Sequence, residues 1–200
     1  MVDLPPQPFT TQSPLNTVVD FEDIQTGQGF VSFYPMTSNL AAGAEFILND
    51  NIQYSGTIET NRVAGGTTTM TFDSSGFTIP RTVAGNNAYF SAGVGTANGA
   101  TITVSAQLQK WDGSSATNIS SEITTSGTAV AANEDAMLFL RLPLTETNVQ
   151  EGEQLRIIVK LTNNVQDAAI GHDPKGRDGL KVKSASVSTV MQLDIPFKIE

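Results

Sequence analysis

The chain has no cysteine among its 200 residues, so disulfide staples, thiolate metal ligation and a cysteine nucleophile are all excluded. A secreted animal domain of this size often relies on disulfides, and their absence points to an intracellular or microbial setting. No basic stretch leading into an apolar run follows Met1, so no secretory signal is read. No apolar run approaches the ~18 residues that a membrane span needs. No segment carries a convincing helical period, and no tandem repeat is present. There is one histidine, His172, and no G-x-S-x-G elbow, so a serine triad lacks both its usual turn and any choice of base.

Positive charge is also scarce. Acids outnumber bases 20 to 11, and no Lys or Arg precedes Arg62. Seven acids stand in the first 61 residues against no base, a local charge of −7, while the remainder carries −2. Such a chain repels phosphate backbones, so nucleic acid is not an expected partner. The acidity serves solubility; a sharper possibility is that the N-terminal third docks on a basic protein surface.

What is present is strand pattern. In Ala100 to Trp111, Ile102, Val104, Ala106 and Leu108 alternate with Thr101, Thr103, Ser105 and Gln107, which sorts them onto a buried and a wet face. Trp111-Asp112-Gly113 breaks this strand, and a Ser/Thr-rich loop follows. Ala136 to Leu144 is apolar at both parities and is expected to be a two-faced, central strand. Glu151 to Leu161 restarts after Gly152, with Leu155, Ile157, Val159 and Leu161 on one face.

Further strands are expected at Phe30–Tyr34, ended by Pro35, and at Glu45–Leu48, Tyr54–Val63, Thr67–Asp73, Phe77–Ile79 and Ala88–Val94. Gly93 marks a possible bulge in the last of these. Ser186 to Glu200 reads as a long alternating strand, in which Pro196 argues for an edge or bulge position. Gly27-Gln28-Gly29 and Asn49-Asp50-Asn51 read as turns, and Asn133 to Leu140 has room for one helical turn at its start. Many short strands between Gly, Asn, Ser and Pro turns predict an all-β, antiparallel sandwich or barrel.

Residues 1–20 differ. They hold Pro5, Pro6, Pro8 and Pro14, four of the nine prolines, and read as an extended arm ahead of a body spanning 21–200. Extended, twenty residues reach roughly 60 Å at ~3.3 Å each. Leu4, Phe9, Leu15, Val18 and Val19 are apolar enough to dock on something; a disordered terminus is the other reading.

Chemistry-bearing residues are few. His172, Asp173 and Asp178 in A-I-G-H-D-P-K-G-R-D-G would be the members of a metal site, but their spacing matches no established ligand pattern. The glycines and Pro174 set a turn-rich loop instead, and no metal is expected. The loop offers His172, Asp173, Lys175, Arg177 and Asp178 as candidate recognition residues. Paired glycosidase carboxylates have no sequence constraint, yet the acids here mostly flank turns. Asn49-Asp50-Asn51 lacks the later glycine and glutamate of a calcium loop. Asn118-Ile119-Ser120 is a glycosylation sequon by pattern, treated as chance without a secretory signal. Trp111, Tyr34, Tyr54 and Tyr89 would be the members of a sugar-stacking platform; packing is the plainer role for them. No catalytic residue and no cofactor are expected.

One resemblance adds to this. D-F-E-D-I-Q-T-G-Q-G-F-V-S-F-Y (Asp20 to Tyr34), T-V-S-A-Q-L-Q-K-W-D-G, L-F-L-R-L-P-L-T, E-G-E-Q-L-R-I-I-V-K-L and I-G-H-D-P-K-G-R-D-G together resemble small structural proteins of tailed bacteriophages. The likeness covers most of residues 20–200 and rests on turns and strands. It implies a jelly-roll (TNF-like) sandwich that decorates and cements a capsid as a homotrimer, assembled in the host cytoplasm and located on the virion surface. The major capsid protein would be its partner. The arm residues Leu4, Pro5, Pro6, Pro8, Phe9, Leu15 and Val18 would anchor it to the shell. The alternative is a receptor- or carbohydrate-binding module of a phage tail or bacterial surface, recognising through Asp112–Thr128 or Gly171–Gly179. Neither reading makes the protein an enzyme, and neither involves nucleic acid or a membrane.

Overall fold

A computed structural model of the chain describes residues 28–37, 46–51, 58–62, 66–164, 168–172, 180–181, 188–189 and 191–199. Among these residues there is no helix. The strands are β1 (Gln28–Thr37), β2 (Phe46–Asn49), β3 (Ile58–Arg62), β4 (Gly66–Ser74), β5 (Arg81–Val83), β6 (Asn87–Thr96), β7 (Ala100–Trp111), β8 (Ala116–Asn118), β9 (Ile123–Thr124) and β10 (Thr128–Val130). They continue with β11 (Glu134–Pro143), β12 (Thr147–Val149), β13 (Gln154–Asn163), β14 (Ala168–His172), β15 (Leu180–Lys181), β16 (Ser188–Thr189) and β17 (Gln192–Lys198). The protein is all-β.

All but β15 and β16 belong to one hydrogen-bonded network, which turns a corner inside β1. Gln28–Phe33 of β1 pair with β17, and Tyr34–Thr37 pair with β2. Pro35 does not end the strand; it lies just past this change of partner, where a missing amide donor interrupts least. On one side of the corner lie β17, β6, β11, β14 and β3, with β5 and β12 attached. On the other lie β2, β4, β13 and β7, with β8, β9 and β10 along the outer edge of β7. Pairing is antiparallel except where Ile47 and Leu48 of β2 run parallel to Asp73 and Ser74 of β4.

One core cluster draws on both layers. Leu155, Ile157, Val159 and Leu161 of β13 and Ile102, Val104 and Leu108 of β7 are fully buried with Phe90, Val94, Leu142, Ile170 and Leu193 from the opposite layer. Each such side chain contributes about 1.5–3 kcal/mol relative to exposure. Period-two alternation therefore places the inner faces of β7 and β13 as expected.

Several expectations are corrected. β11 is not central: among the described residues it pairs only with β6, apart from a single bridge between Leu144 and Ser120. From Leu138 onward it is also one-faced. Leu138, Leu140 and Leu142 point inward, whereas Phe139 is 47% exposed and Arg141 and Pro143 face solvent. β13, flanked by β7 and β4 along its length, is the central strand. Asn133 adopts φ 60° in a turn closed by the Glu134 amide on the Ala131 carbonyl, and the chain then enters β11 with no helical turn.

Gly93 makes no bulge, since β6 keeps unbroken register with β11 from Asn87 to Thr96. Phe77–Ile79 forms no strand; Phe77 instead exchanges hydrogen bonds with the Gly152–Glu153 turn, at 2.8 and 2.9 Å. That turn presses close, because a Cβ on Gly76 would lie 3.1 Å from the Gly152 carbonyl oxygen. Gln28 and Gly29 already belong to β1.

At the far end the strand is shorter than read. β17 begins at Gln192, and Ile199 is 64% exposed beyond it. Pro196 is not at an edge. It lies between the stretch of β17 that pairs with β6 and the residue that pairs with β5, and its carbonyl accepts from Ala84 at 2.9 Å. N–H and C=O of one strand residue point to the same side, so the absent donor falls in the gap between those two neighbours.

Candidate functional site

The most organised polar surface is the outer face of the β4–β13–β7 layer. Alternation turns Asp73, Arg156 and Trp111 outward, and register sets Arg156 opposite Asp73 while Gln154 sits opposite Trp111. The Arg156 guanidinium donates through Nε to Asp73 Oδ1 at 2.6 Å and through Nη2 to Oδ2 at 2.7 Å. It also lies over the Trp111 ring, 3.9 Å from the centroid. This fork geometry is the strong form of a carboxylate pair, and the stacked indole adds a cation–π contact.

Neighbouring charges are paired too. Lys160 reaches Glu122 at 2.6 Å, and Glu122 also accepts from Ser105 at 2.8 Å. Lys110 reaches Glu153 at 3.0 Å, and Thr67 bonds Thr162 at 2.7 Å. The surface is a hydroxyl- and amide-rich sheet face whose charges satisfy one another. Trp111 has one ring face occupied by Arg156, and Tyr89 lies on the other layer against Phe30 at 6.1 Å, so these two aromatics form no common platform. Tyr54 lies outside the described residues.

Carboxylates around this face are held below their ordinary range. For Glu122 the causes are the Lys160 and then the Ser105 hydrogen bonds. For Glu153 they are the Gln150 amide and then Lys110. For Asp112 they are the amides of Ser115 and Ser114, received at 2.6 and 2.8 Å in the turn after β7. Folded pKa values below the unfolded ones mean stability that is complete above the unfolded carboxylate range, near 4, and lost as pH falls through the folded values. Thermal unfolding midpoints are thus expected to stay level from pH 7 to about 5 and to drop below about 4. Calorimetry across that range checks this, and an Asp112→Asn/Glu122→Gln/Glu153→Gln variant should show a shallower acid fall.

The sequence-derived recognition residues fare differently. His172 is not in a surface loop. It is the last residue of β14, fully buried, with its ring edge-on to Phe46 at 5.6 Å and to Phe72 at 5.9 Å. It packs between layers, as its position on the inward parity of β14 with Ala168 and Ile170 requires. Asp173, Lys175, Arg177 and Asp178 lie outside the described residues, as do the arm residues Leu4, Pro5, Pro6, Pro8, Phe9, Leu15 and Val18. Among the described residues no three His, Cys, Asp or Glu side chains gather as a metal site. The stretch Asp112–Thr128 is no free loop, because β8 and β9 within it pair with β7.

A second polar group lies on the outer face of β1 and β17. Ser32 Oγ donates to Asp194 Oδ1, which also accepts from Gln192 Nε2 at 2.8 Å. Burial, then the Asp194 charge, push the Tyr34 phenol above its ordinary range, against the Ser32 hydrogen bond. Sequence reading missed Asp73, Arg156, Glu122 and Asp194. Their outward or polar character was visible, but their partners are 83, 38 and 162 residues away for the Arg156, Glu122 and Asp194 pairs, and nothing local names a cross-strand neighbour.

Next to the start of β1 lies an open groove of about 390 Å³, lined by Gly29, Phe30, Ile79, Pro80, Phe197 and Ile199 among others. Ile79 is 68% exposed there. A cleft of about 210 Å³ adjoins it, between the β1 corner and the Ser75–Ile79 connection, with Asp50 and Arg81 among its lining residues.

No family model matches the chain, and no curated protein matches it. Solved structures do. An aminopeptidase from a marine sediment Thaumarchaeota archaeon aligns with a TM-score of 0.58 at 9% identity, over 86% of this chain and 37% of that one. A CocE/NonD family hydrolase from Staphylococcus aureus aligns with a TM-score of 0.60 at 12% identity, again over 86% and 37%. The chain thus spans little more than a third of these proteins. At such identities the likeness concerns fold alone, an all-β unit that also occurs as part of larger chains.

Proposed function

We propose that the chain is a virion structural protein that decorates and stabilises a phage capsid, its body a jelly-roll sandwich and its residues 1–20 an anchor on the shell. The observation that carries this reading is the groove beside the start of β1, where Arg81 and Lys198 join an otherwise apolar lining. Exposed Ile79 and Ile199 flank it with Phe30 and Pro80, so the body offers apolar surface beside the start of β1. A contact surface begun by Leu4, Phe9, Leu15 and Val18 can continue onto that end of the body. The ion-paired, hydroxyl-rich outer face suits a protein that stands in solvent on a particle and works by binding rather than by chemistry. Many copies on one shell would add avidity, so that modest single contacts hold firmly.

The test is sedimentation with capsids that lack the protein, comparing the full chain with a form lacking residues 2–19. The truncated protein is expected to remain folded and to lose most of its occupancy. Capture by the full chain is expected to weaken as salt rises, since exposed charges are screened beyond ~10 Å at 0.1 M. Equal occupancy for both forms would remove the arm from the mechanism.

A further inference from the structure

We infer that the outer face of β6 and β14 is the seat of the chain's own residues 173–190, which leave the sheet and rejoin it at one point. Register locates that point. β11 takes one edge of β6 along its whole length, so β14 and β17 share the other. They run end to end in the same direction: Gly171 of β14 faces Gly93, and Gln192 of β17 faces Ser91. Only two residues of strand, about 7 Å, separate those levels, yet all of 172–191 lies between Gly171 and Gln192 in the chain. The excursion therefore departs from inside a sheet, where β6 fills one side of β14 and β3 the other. It has to leave by a face, and the inner face is filled by the core around Phe90, Val94 and Ile170.

The outer face bears the mark of a cover. The residues on it there are Ser91, Gly93 and Gly95 of β6 and Ala169 and Gly171 of β14. All five are buried, and Ala169, at 0% exposure, is no member of the core cluster. β15, the first strand of the excursion, comes within 8 Å of β14, Cα to Cα. Packed sheets normally lie about 10 Å apart, and glycine and alanine permit the closer approach. Charge favours this segment over residues 1–27 as the occupant. Asp135 of β11 ends the Ala169–Gly95 row, and both its carboxylate oxygens are buried. A buried carboxylate needs a cation or donors against it. Outside the described residues every Lys and Arg, namely Lys175, Arg177 and Lys183, belongs to 173–190. Residues 1–27 hold four acids and no base. The stretch that the sequence offers as a recognition loop is then part of the body.

This inference stands apart from the capsid reading. The absence of native cysteine makes Ser91→Cys, an exchange of one atom, a clean reporter of the cover. Its thiol is expected to react slowly with a maleimide in the full chain. A form in which two glycines replace residues 173–190 is expected to keep its circular dichroism and to react faster by about tenfold or more. Removing residues 2–27 instead is expected to leave the rate unchanged. A second measurement uses intact chains and holds even if the glycine-linked form does not fold. Ser91→Cys, combined in turn with Ser184→Cys, Ser186→Cys and Ser188→Cys, is expected to close an intramolecular disulfide on oxidation in at least one pair. A folded glycine-linked form that stays slow, or failure of all three pairs to close, would overturn the inference. A fast rate on removing 2–27 would overturn it in favour of the arm, and disulfides formed only between chains in favour of a second copy.

Discussion

Phe72→Ala is expected to cost about 3–5 kcal/mol, a large share of the stability of a domain of this size. Phe72 is fully buried in β4, opposite Ile157 of the central strand. Its ring meets Phe46 at 5.1 Å edge-on and His172 at 5.9 Å, so it joins β4, β2 and β14 across the two layers. Truncation removes its own burial and leaves a void that Phe46 and His172, each held in a strand, cannot collapse into. Urea unfolding should show a lower midpoint with an unchanged slope. A loss below about 1 kcal/mol would mean that the layers close up around the gap, which relaxed cores rarely do so fully. Phe72→Leu, which keeps most of the volume, should cost markedly less.

Arg156→Ala is expected to cost about 2 kcal/mol, from two charge-assisted hydrogen bonds and the stacked indole after discounting for partial exposure. The discount is needed because the Arg156 and Asp73 side chains remain 18% and 32% exposed. Arg156→Lys should recover less than half, since an ammonium reaches one carboxylate oxygen but loses the fork and the flat stack on Trp111. The arrangement is testable by a double-mutant cycle with Asp73→Ala: a coupling energy near zero would make the pair an ornament of the surface. Trp111 fluorescence provides a second readout, because removing the guanidinium 3.9 Å above the ring should change its emission.

Legibility in the sequence varied by element, for identifiable reasons. β7 and β13 were readable because each buries one face against a single core, so polar and apolar residues must alternate. β11 was misread because its outward residues Met137 and Phe139 are apolar although Phe139 stays 47% exposed. A hydrophobic residue on an open edge and one in a doubly covered strand look the same in sequence. His172 was misread because glycine and proline on its C-terminal side signal a turn, while its own parity, shared with Ala168 and Ile170, places it inside. Pro35 and Pro196 were read as breakers or edge markers, and both are accommodated where a strand changes neighbours, a property of the pairing and not of the residue.

Composition and period alone were enough for the all-β class, for the inward faces of the long strands, and for the exclusion of disulfide and thiolate chemistry. These are local or additive properties: side-chain direction along a strand follows from the backbone repeat of two, and an absent residue is absent in any fold. Which strand is central, which is an edge, where β1 turns the corner, and that Arg156 finds Asp73 and Trp111 emerged with the tertiary structure. Each depends on register between segments far apart in the chain, such as Ser32 and Asp194, 162 residues from each other. A sheet hydrogen-bonds through the backbone, which is the same at every residue. The choice among possible neighbours is therefore made by how all the inner faces pack together at once, and no single stretch of sequence carries that information.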